Sequence, residues 1–207
     1  MSVKIKICGI TSIADGLAAA GAGADMIGLM FYEKSPRYIS LETAAQIARA
    51  VPPFVAKVGV FVNPDEDLVR RALAECSLSL LQFHGDETSA FCTQFGMMSM
   101  KALRVRDDAS LRELQDFTTD AFLLDAYSKS RLGGTGEKFN WDLAIEAKKF
   151  GRPIFLAGGL TPDNVAAAVR QVQPFGVDVS SGVESAPGKK DAAKVRDFIA
   201  AVCQAAA

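Results

Sequence analysis

The residues with the clearest capacity for chemistry lie at the ends of short runs of β-forming residues. Cys8 follows KIKI, His84 follows LLQF and Asp125 follows FLL. A cysteine can serve as a proton-transfer base or as a nucleophile, and a carboxyl group can serve as a general acid. Cys8 could also be a small buried hydrophobic residue or half of a disulfide, so the rest of the sequence has to separate these alternatives.

The charged neighbour of Cys8 within the same strand is Lys6. Side chains alternate along a strand, so Lys6 and Cys8 are expected on one face, about 7 Å apart. A buried ammonium group there would favour the thiolate over the thiol. The alternative is a core cysteine beside a lysine that pairs with another group.

Three further residues have side chains suited to a ligand or to proton transfer. Arg37 lies in the turn-rich stretch FYEKSPRYIS, and its guanidinium can donate two parallel hydrogen bonds to a carboxylate or a phosphate. Asp125 follows a nearly apolar strand, an environment that favours the protonated carboxyl group and suits a general acid. His84 shares a strand face with Gln82 and is expected to contact a ligand. Each could instead be structural, as a solvated arginine, a loop-capping aspartate and a hydrogen-bonded histidine.

These side chains need a framework that brings strand ends together. Eight β-rich segments alternate with amphipathic helical stretches at intervals of about 20 to 30 residues, the length of a strand–helix unit. The strand segments are KIKIC, MIGLMF, VAKVGVFV, LSLLQFH, MSMKALRV, AFLLDA, PIFLAGG and FGVDVSS. The alternation predicts an α/β fold, a single-domain (β/α)8 TIM barrel over residues 1–207, with a doubly wound open sheet as the alternative. Asn63-Pro64 and Thr161-Pro162 predict two of the helix starts.

The loops after the last two strands have the composition of a phosphate site. AGGLTPDN carries two glycines that let a ligand approach the backbone, and SSG in DVSSGVE can begin a short extra helix. These two loops are the usual phosphate site of such barrels. Asp178 shares a strand face with Ser180 and can reach a sugar hydroxyl. The predicted phosphate-binding residues are Gly158, Gly159, Ser180, Ser181 and Gly182.

A long loop follows the sixth strand. It reads YSKSRLGGTGEKFNWD and contains Gly133, Gly134 and Gly136. Long glycine-containing loops on the catalytic face of a barrel often close over substrates.

Composition argues against several classes of function. The net charge of −1 gives no reason to expect a nucleic-acid partner, and no apolar stretch is long enough to span a bilayer. The single histidine and four scattered cysteines do not predict a metal site, and no cofactor is implied. The N-terminus lacks a signal-peptide pattern, which favours a reduced, cytoplasmic protein. The helices show no unpaired apolar stripe, which favours a monomer.

Six segments together resemble the phosphoribosylanthranilate isomerases of tryptophan biosynthesis. They are KICGIT, FYEKSPRYIS, QFHGDE, LLDA followed by GGTGEKFNW, LAGGLTPDNV and GVDVSSGVESAPGKKD, and they run from the first strand to the last helix. The resemblance implies a cofactor-free Amadori rearrangement of N-(5'-phosphoribosyl)anthranilate, an aminoaldose, to the aminoketose 1-(2-carboxyphenylamino)-1-deoxyribulose 5-phosphate.

The same resemblance implies a role for each matched residue. Cys8 of CGIT would be the general base rather than a covalent nucleophile, and Asp125 of LLDA would be the general acid. Arg37 would hold the anthranilate carboxylate. His84 and Asp178 would contact the ligand, Asp178 at a ribose hydroxyl, and the backbone around the glycines would bind phosphate.

Three other functions are open at this point. A histidine-pathway phosphoribosyl isomerase shares the barrel and the reaction type, but we expect an aspartate in it at the position of Cys8. A Schiff-base aldolase needs a lysine at a strand end, whereas Lys101 lies inside its strand. A non-catalytic phosphosugar-binding barrel would bind ligand without turnover, and the presence of both Cys8 and Asp125 argues against it.

Overall fold

Eight parallel strands close into a barrel within the residues that the structure, a computed structural model, describes: 2–126 and 141–206. Each strand pairs with the next, and the eighth pairs with the first. The strands are β1 (Lys4–Cys8), β2 (Met26–Met30), β3 (Ala56–Phe61), β4 (Leu80–Phe83), β5 (Ser99–Val105), β6 (Ala121–Ala126), β7 (Ile154–Ala157) and β8 (Gly176–Val179). The predicted TIM barrel is confirmed, and the open sheet is excluded. The long loop that contains Gly133, Gly134 and Gly136 falls in 127–140, outside the described residues.

Helices follow the strands and surround the barrel. In the described part of the chain they are α1 (Ile13–Ala22), α2 (Leu41–Ala50), α3 (Glu66–Cys76), α4 (Ser89–Thr93), α5 (Asp108–Arg112), α6 (Trp141–Ala147), α7 (Val165–Val172) and α8 (Ala192–Ala206). Single 3-10 turns occupy 113–116, 148–150 and 181–183. Within the described ranges, every helix is too short or too polar to cross a lipid bilayer.

The two predicted helix starts at Asn-Pro and Thr-Pro are wrong. Asn63 lies in the left-handed region, at φ 48, and its side-chain oxygen accepts the backbone N–H of Asp86. The cap of α3 is Asp65, whose carboxylate accepts a backbone N–H of the first turn. A turn follows Thr161, and α7 begins only at Val165. Asn63 therefore ties the loop after β3 to the loop after β4 instead of starting a helix.

Alternation along the strands sorts the side chains into two cores. One set fills the barrel interior and includes Val60, Met100, Leu123 and Phe155, all buried. The other set faces outward and packs against the helices. Towards the carboxyl ends of the strands, polar residues replace the apolar ones on the interior face, so the open end of the barrel is the place where chemistry can occur.

A small antiparallel hairpin between the last strand and the last helix was not predicted. It consists of β9 (Glu184–Ala186) and β10 (Lys189–Lys190), joined by a turn in which Gly188 has φ +79. The carbonyl of Gly188 accepts a hydrogen bond from the Thr11 hydroxyl. A Cβ on Gly188 would lie 3.0 Å from the carbonyl oxygen of Pro36. The hairpin therefore packs onto the loops after β1 and β2.

Candidate active site

The mouth of the barrel collects interior-facing polar residues from several strands. Because the strands are parallel, their carboxyl ends all lie on this face. Strand register and alternation bring to it Cys8, His84, Arg104, Asp125 and Asp178. Four of these are residues that sequence analysis selected.

A buried ion pair lies directly beneath the thiol of Cys8. Lys6 is fully buried, and its Nζ donates a hydrogen bond of 2.8 Å to Asp178 Oδ1. The positive charge of Lys6 also acts on the Cys8 thiol. Gly28, opposite Cys8 on β2, leaves room for both groups, since a Cβ there would lie 2.7 Å from Cys8 Sγ and 3.2 Å from Lys6 Nζ. Lys6 and Cys8 thus share the strand face that alternation predicts.

The charge state of Cys8 depends on two opposing effects. Burial raises the pKa of the Cys8 thiol above its ordinary value of 9.0, and the positive charge of Lys6 acts in the opposite direction. For Lys6, burial alone would lower the pKa, but the negative charges of Asp178 and Cys8 raise it. The expectation that Lys6 favours the thiolate therefore has the right sign but omits the larger effect of burial. A thiolate formed here is scarce at neutral pH and is a strong base.

His84 and Asp125 meet at the mouth. His84 Nε2 lies 3.4 Å from Asp125 Oδ2, and the side chains are 21% and 30% exposed. Arg104 is the register partner of Asp125 on the neighbouring strand β5. The carboxyl group of Asp125 is therefore bordered by an imidazole and open to solvent, unlike the apolar enclosure that the strand composition predicts.

Arg37 reaches the mouth from the loop after β2. A Cβ on Gly9 would lie 2.5 Å from Arg37 Cδ and 3.0 Å from Ser180 Oγ, so these side chains converge beside the end of β1. The guanidinium forms a bidentate pair with Glu184, with Nε donating to Oε1 and Nη2 to Oε2, each at 2.7 Å. These hydrogen bonds to Glu184 raise the pKa of Arg37. Arg37 is therefore an ordered arginine at the site rather than a solvated surface residue.

The glycine-rich loops after β7 and β8 touch each other through their backbones. Gly158 and Gly159 have φ +79 and +68. A Cβ on Gly182 would lie 2.0 Å from the carbonyl oxygen of Leu160, so only glycine fits there. The backbone N–H groups of Gly159, Ser181 and Gly182 make no hydrogen bond to residues of 2–126 or 141–206. These N–H groups are available to an anion.

Two of the predicted site residues have buried polar atoms with unused hydrogen-bonding capacity. Ser180 Oγ and His84 Nε2 have no hydrogen-bond partner among the described residues. Gln82 Oε1, on the same strand face as His84, is also buried and has no hydrogen-bond partner among the described residues. Buried polar atoms in folded proteins are nearly always paired, so these atoms can take a partner from a ligand bound at the mouth.

Sequence analysis missed three charged residues of this face. Arg104 is exposed at the end of β5, and its shared strand face with Met100 and Ala102 was a usable signal. Glu184 and Lys190 lie within GVDVSSGVESAPGKKD but received no role. Lys190 Nζ donates to Glu184 Oε1 at 2.9 Å, and both side chains are buried.

A cavity beside the mouth offers neither a Schiff-base lysine nor a metal site. Its volume is about 770 Å³, and His84, Arg104 and Lys101 are among its lining residues. Lys101 is 3% exposed and its Nζ lies 2.7 Å from Glu87 Oε2, so the amine is held as a paired cation. In the described ranges, no group of three or more His, Cys, Asp or Glu side chains could hold a metal ion. The aldolase alternative therefore has no support at this site.

Known proteins that are similar to this one align with nearly the whole chain. The family model described as N-(5'phosphoribosyl)anthranilate (PRA) isomerase matches residues 5–201. The N-(5'-phosphoribosyl)anthranilate isomerase of Citrifermentans bemidjiense is 56% identical over 197 residues, which cover 95% of each chain. That of Trichlorobacter lovleyi is 55% identical over 197 residues, covering 95% of this chain and 96% of the relative.

Solved structures show the same barrel. The crystal structure of phosphoribosyl anthranilate isomerase from Thermotoga maritima has a TM-score of 0.89 and 40% identity, and covers 97% of this chain and 98% of that one. A crystal structure of the enzyme in complex with reduced 1-(o-carboxyphenylamino)-1-deoxyribulose 5-phosphate has a TM-score of 0.86 and 38% identity, with the same coverage. The chain therefore belongs to the N-(5'-phosphoribosyl)anthranilate isomerase family.

Proposed function

We propose that Cys8 and Asp125 supply the proton transfers in the isomerisation of N-(5'-phosphoribosyl)anthranilate, the activity of this family in tryptophan biosynthesis. Asp125 donates a proton to the ribose ring oxygen, the bond between that oxygen and C1 breaks, and an iminium forms at C1. Cys8 removes the proton from C2, whose electrons form an enolamine. The enolamine takes a proton at C1 as the C2 hydroxyl becomes a ketone, so the rearrangement is redox-neutral and both residues can return to their starting states.

The observation that carries this assignment is the buried ammonium group of Lys6 against the Cys8 thiol. Deprotonation of a buried thiol creates a buried anion, which is unfavourable without a partner charge. Lys6 provides that charge, and Asp178 keeps the lysine protonated because it raises the pKa of Lys6. A cysteine that served only for packing would need no buried cation beside it.

The remaining polar groups suit the two ends of the substrate. Arg37 would hold the anthranilate carboxylate through the N–H groups that Glu184 leaves free. His84 Nε2, which makes no hydrogen bond among the described residues and lies 3.4 Å from Asp125 Oδ2, would contact the substrate beside the general acid. One oxygen of Asp178 is taken by Lys6, so a ribose hydroxyl would be bound by the other.

Phosphate would bind at the loops after β7 and β8. The N–H groups of Gly159, Ser181 and Gly182 are free of partners within the described ranges, and Ser180 Oγ is buried and unpaired there. Gly158 keeps the backbone in the left-handed conformation that presents this turn. Because most of these donors belong to the backbone, truncation of a serine side chain, as in Ser181→Ala, is expected to have a small effect.

The test follows the fluorescence of the anthranilate group after the purified protein is mixed with N-(5'-phosphoribosyl)anthranilate. The parent is expected to convert the substrate, and Cys8→Ala and Asp125→Ala are each expected to lose about 10²- to 10⁴-fold in kcat. Cys203→Ala and Asp197→Asn, both at exposed positions on α8, are matched controls and are expected to turn over like the parent.

Three results would contradict the proposal. If Cys8→Ala keeps most of its activity, the base is another group. If the parent binds the substrate without turnover, the barrel is a binding protein. If the parent acts instead on the phosphoribosyl aminoimidazole compound of histidine biosynthesis, the sister-isomerase alternative is correct.

We also infer the setting in which this activity operates. One barrel over residues 1–207 would be a single catalytic domain, working in the cytoplasm as a monomer on a small phosphoribosyl substrate. The buried free cysteines Cys8, Cys76 and Cys92 agree with a reducing compartment. Fractionation of cells and detection of the protein in the soluble cytoplasmic fraction would test this location.

A further inference from the structure

The β9–β10 hairpin carries an ion-pair cluster to which the proton transfers assign no role. Glu184 accepts two hydrogen bonds of 2.7 Å from Arg37 and one of 2.9 Å from Lys190. We propose that Glu184 is a positioning residue that fixes the orientation of the Arg37 guanidinium for the substrate carboxylate. This inference rests on the proposed role of Arg37 as the carboxylate-binding residue.

The geometry of the pair determines which donors of Arg37 remain. A guanidinium has five N–H donors in a rigid plane, and Glu184 takes the Nε and one Nη2 hydrogen. The edge formed by Nη1 and the second Nη2 hydrogen has no partner within 2–126 and 141–206, and it can donate two parallel hydrogen bonds. Glu184 thus limits Arg37 to one bidentate edge and sets the direction in which that edge points.

The cluster of Arg37, Lys190 and Glu184 keeps a net positive charge, which attracts an anion. Glu184 is 6% exposed in its side chain, and its pKa is lowered because the hydrogen bonds and charges of Arg37 and Lys190 outweigh burial. Two cations and one anion leave a net charge of +1. Lys190 therefore compensates the charge that Glu184 removes from Arg37, and the orientation of Arg37 is fixed without loss of attraction for a carboxylate.

The hairpin holds Glu184 rigidly enough to orient a partner. Lys190 Nζ also donates to the carbonyl of Ser180 at 3.2 Å, which ties the cluster to the predicted phosphate turn. The backbone N–H of Lys190 donates to Asp15, and Lys194 Nζ donates to the carbonyl of Glu184 at 3.0 Å. Glu184 is held through both its backbone and its side chain.

The test compares the binding of two ligands by isothermal titration calorimetry. One is reduced 1-(o-carboxyphenylamino)-1-deoxyribulose 5-phosphate, and the other is its phenylamino counterpart, which lacks the carboxylate. Glu184→Gln is expected to weaken binding of the first ligand about tenfold and to leave the second within about twofold. Glu184→Asp keeps the charge but shortens the side chain, so it is expected to show the same selective loss. Glu66→Gln, at an exposed ion pair with Arg70, is the matched control and is expected to bind both ligands like the parent.

Several outcomes would overturn the inference. If the Glu184→Gln variant binds the carboxylate ligand more tightly than the parent does, the affinity depends on the net charge of the cluster and not on the orientation of Arg37. If both ligands weaken equally in both variants, Glu184 supports the fold or the phosphate turn only. The Arg37→Met variant distinguishes a failure of this inference from a failure of the proposed role of Arg37. If Arg37→Met loses the preference for the carboxylate and the Glu184 variants keep it, only the inference fails. If Arg37→Met keeps the preference, the assignment of Arg37 itself fails.

Discussion

The thiol of Cys8 can act as a base only if a buried anion is tolerated at its position. Burial raises the pKa of Cys8, and the ammonium group of Lys6 limits that rise. Asp178 in turn keeps Lys6 charged while adding its own negative charge to the surroundings of the thiol. These three side chains act as one unit, so a change in the lysine should be visible in the titration of the cysteine.

Lys6→Met tests that coupling. Removal of the ammonium group raises the pKa of Cys8 further, and we expect kcat/KM at neutral pH to fall about tenfold, equivalent to about 1.4 kcal/mol of thiolate stabilisation. Because the thiolate is the proposed base, the ionisation of the Cys8 thiol should move to higher pH in the variant. The measurement is the pH profile of thiolate absorbance in the ultraviolet, with the profile of Cys8→Ala subtracted, taken beside kcat/KM at neutral pH.

Lys4→Met is the control for this experiment. Lys4 lies on the same strand, its side chain is 40% exposed, and it pairs with Asp25 away from the mouth. Its pH profile should match that of the parent. A Lys6→Met profile that superimposes on the parent's would show that the lysine does not influence Cys8.

Gly28→Ala tests how tightly the thiol is enclosed. The added Cβ would lie 2.7 Å from Cys8 Sγ and 3.0 Å from Cys8 Cα, closer than carbon and sulfur atoms pack. We expect kcat to fall by at least about tenfold because a displacement of about 1 Å at a reacting group has large effects. Gly21→Ala is the control, since a Cβ there meets nothing within 4 Å and alanine favours a helix. Equal kcat values for Gly28→Ala and the parent, in the fluorescence assay, would show that the thiol has room to move.

Individual site residues could be predicted where strand alternation applies. Cys8, His84 and Asp125 lie at strand ends, and their side-chain faces follow from a period of two. Glu184 could not be identified this way, because its importance comes from Arg37, which is 147 positions away in the sequence. A carboxylate in a three-residue strand has no distinguishing pattern until the fold shows its partner.

The eight barrel strands could be predicted because each is a run of β-forming residues between helical patterns. Observed strands lie within the predicted segments, and AFLLDA matches β6 residue for residue. The β9–β10 hairpin escaped prediction because its strands have only three and two residues and no apolar alternation. Such a short hairpin is stable only through its contacts with the loops after β1 and β2, and those contacts depend on the closed barrel.

The loops after β3 and β4 depend on one buried carboxylate, and Glu87→Gln tests its contribution to stability. Glu87 accepts the N–H groups of Asn63 and Gly85 and pairs with Lys101, with both side chains of the pair under 5% exposed. The substitution would leave the Lys101 ammonium group buried without a counter-charge, so we expect the free energy of unfolding to fall by about 3 kcal/mol. Urea denaturation measures this change.

Glu66→Gln provides the comparison for that measurement. Glu66 pairs with Arg70 on the exposed face of α3, and both side chains are about half exposed. An exposed helical pair of this type contributes about 0.5 kcal/mol or less. If the two substitutions lower the free energy of unfolding equally, the buried pair is not a structural support of these loops.

Closure of the barrel brings together residues that are remote in the chain. Lys6 and Asp178 are 172 positions apart, and the pairing of β1 with β8 makes them register partners. Alternating strand and helix patterns predict a parallel sheet, but they do not by themselves distinguish a closed sheet from an open one. The glycine-rich loops after β7 and β8 and the proposed catalytic residues share one mouth only in the closed form, so the proposed site depends on closure.

The monomeric state remains a prediction, and the face opposite the mouth is where it is tested. Phe54, Met98 and Phe175 precede strands on that face and are 98%, 60% and 46% exposed. Together they would bury roughly 400 Å² per copy, about half of the ~800 Å² that each partner contributes to a stable interface. We therefore expect sedimentation velocity to give a single species near 22.0 kDa for the parent, and the same for Phe54→Ser. A species of twice that mass which Phe54→Ser dissociates would show that this face joins two copies of the chain.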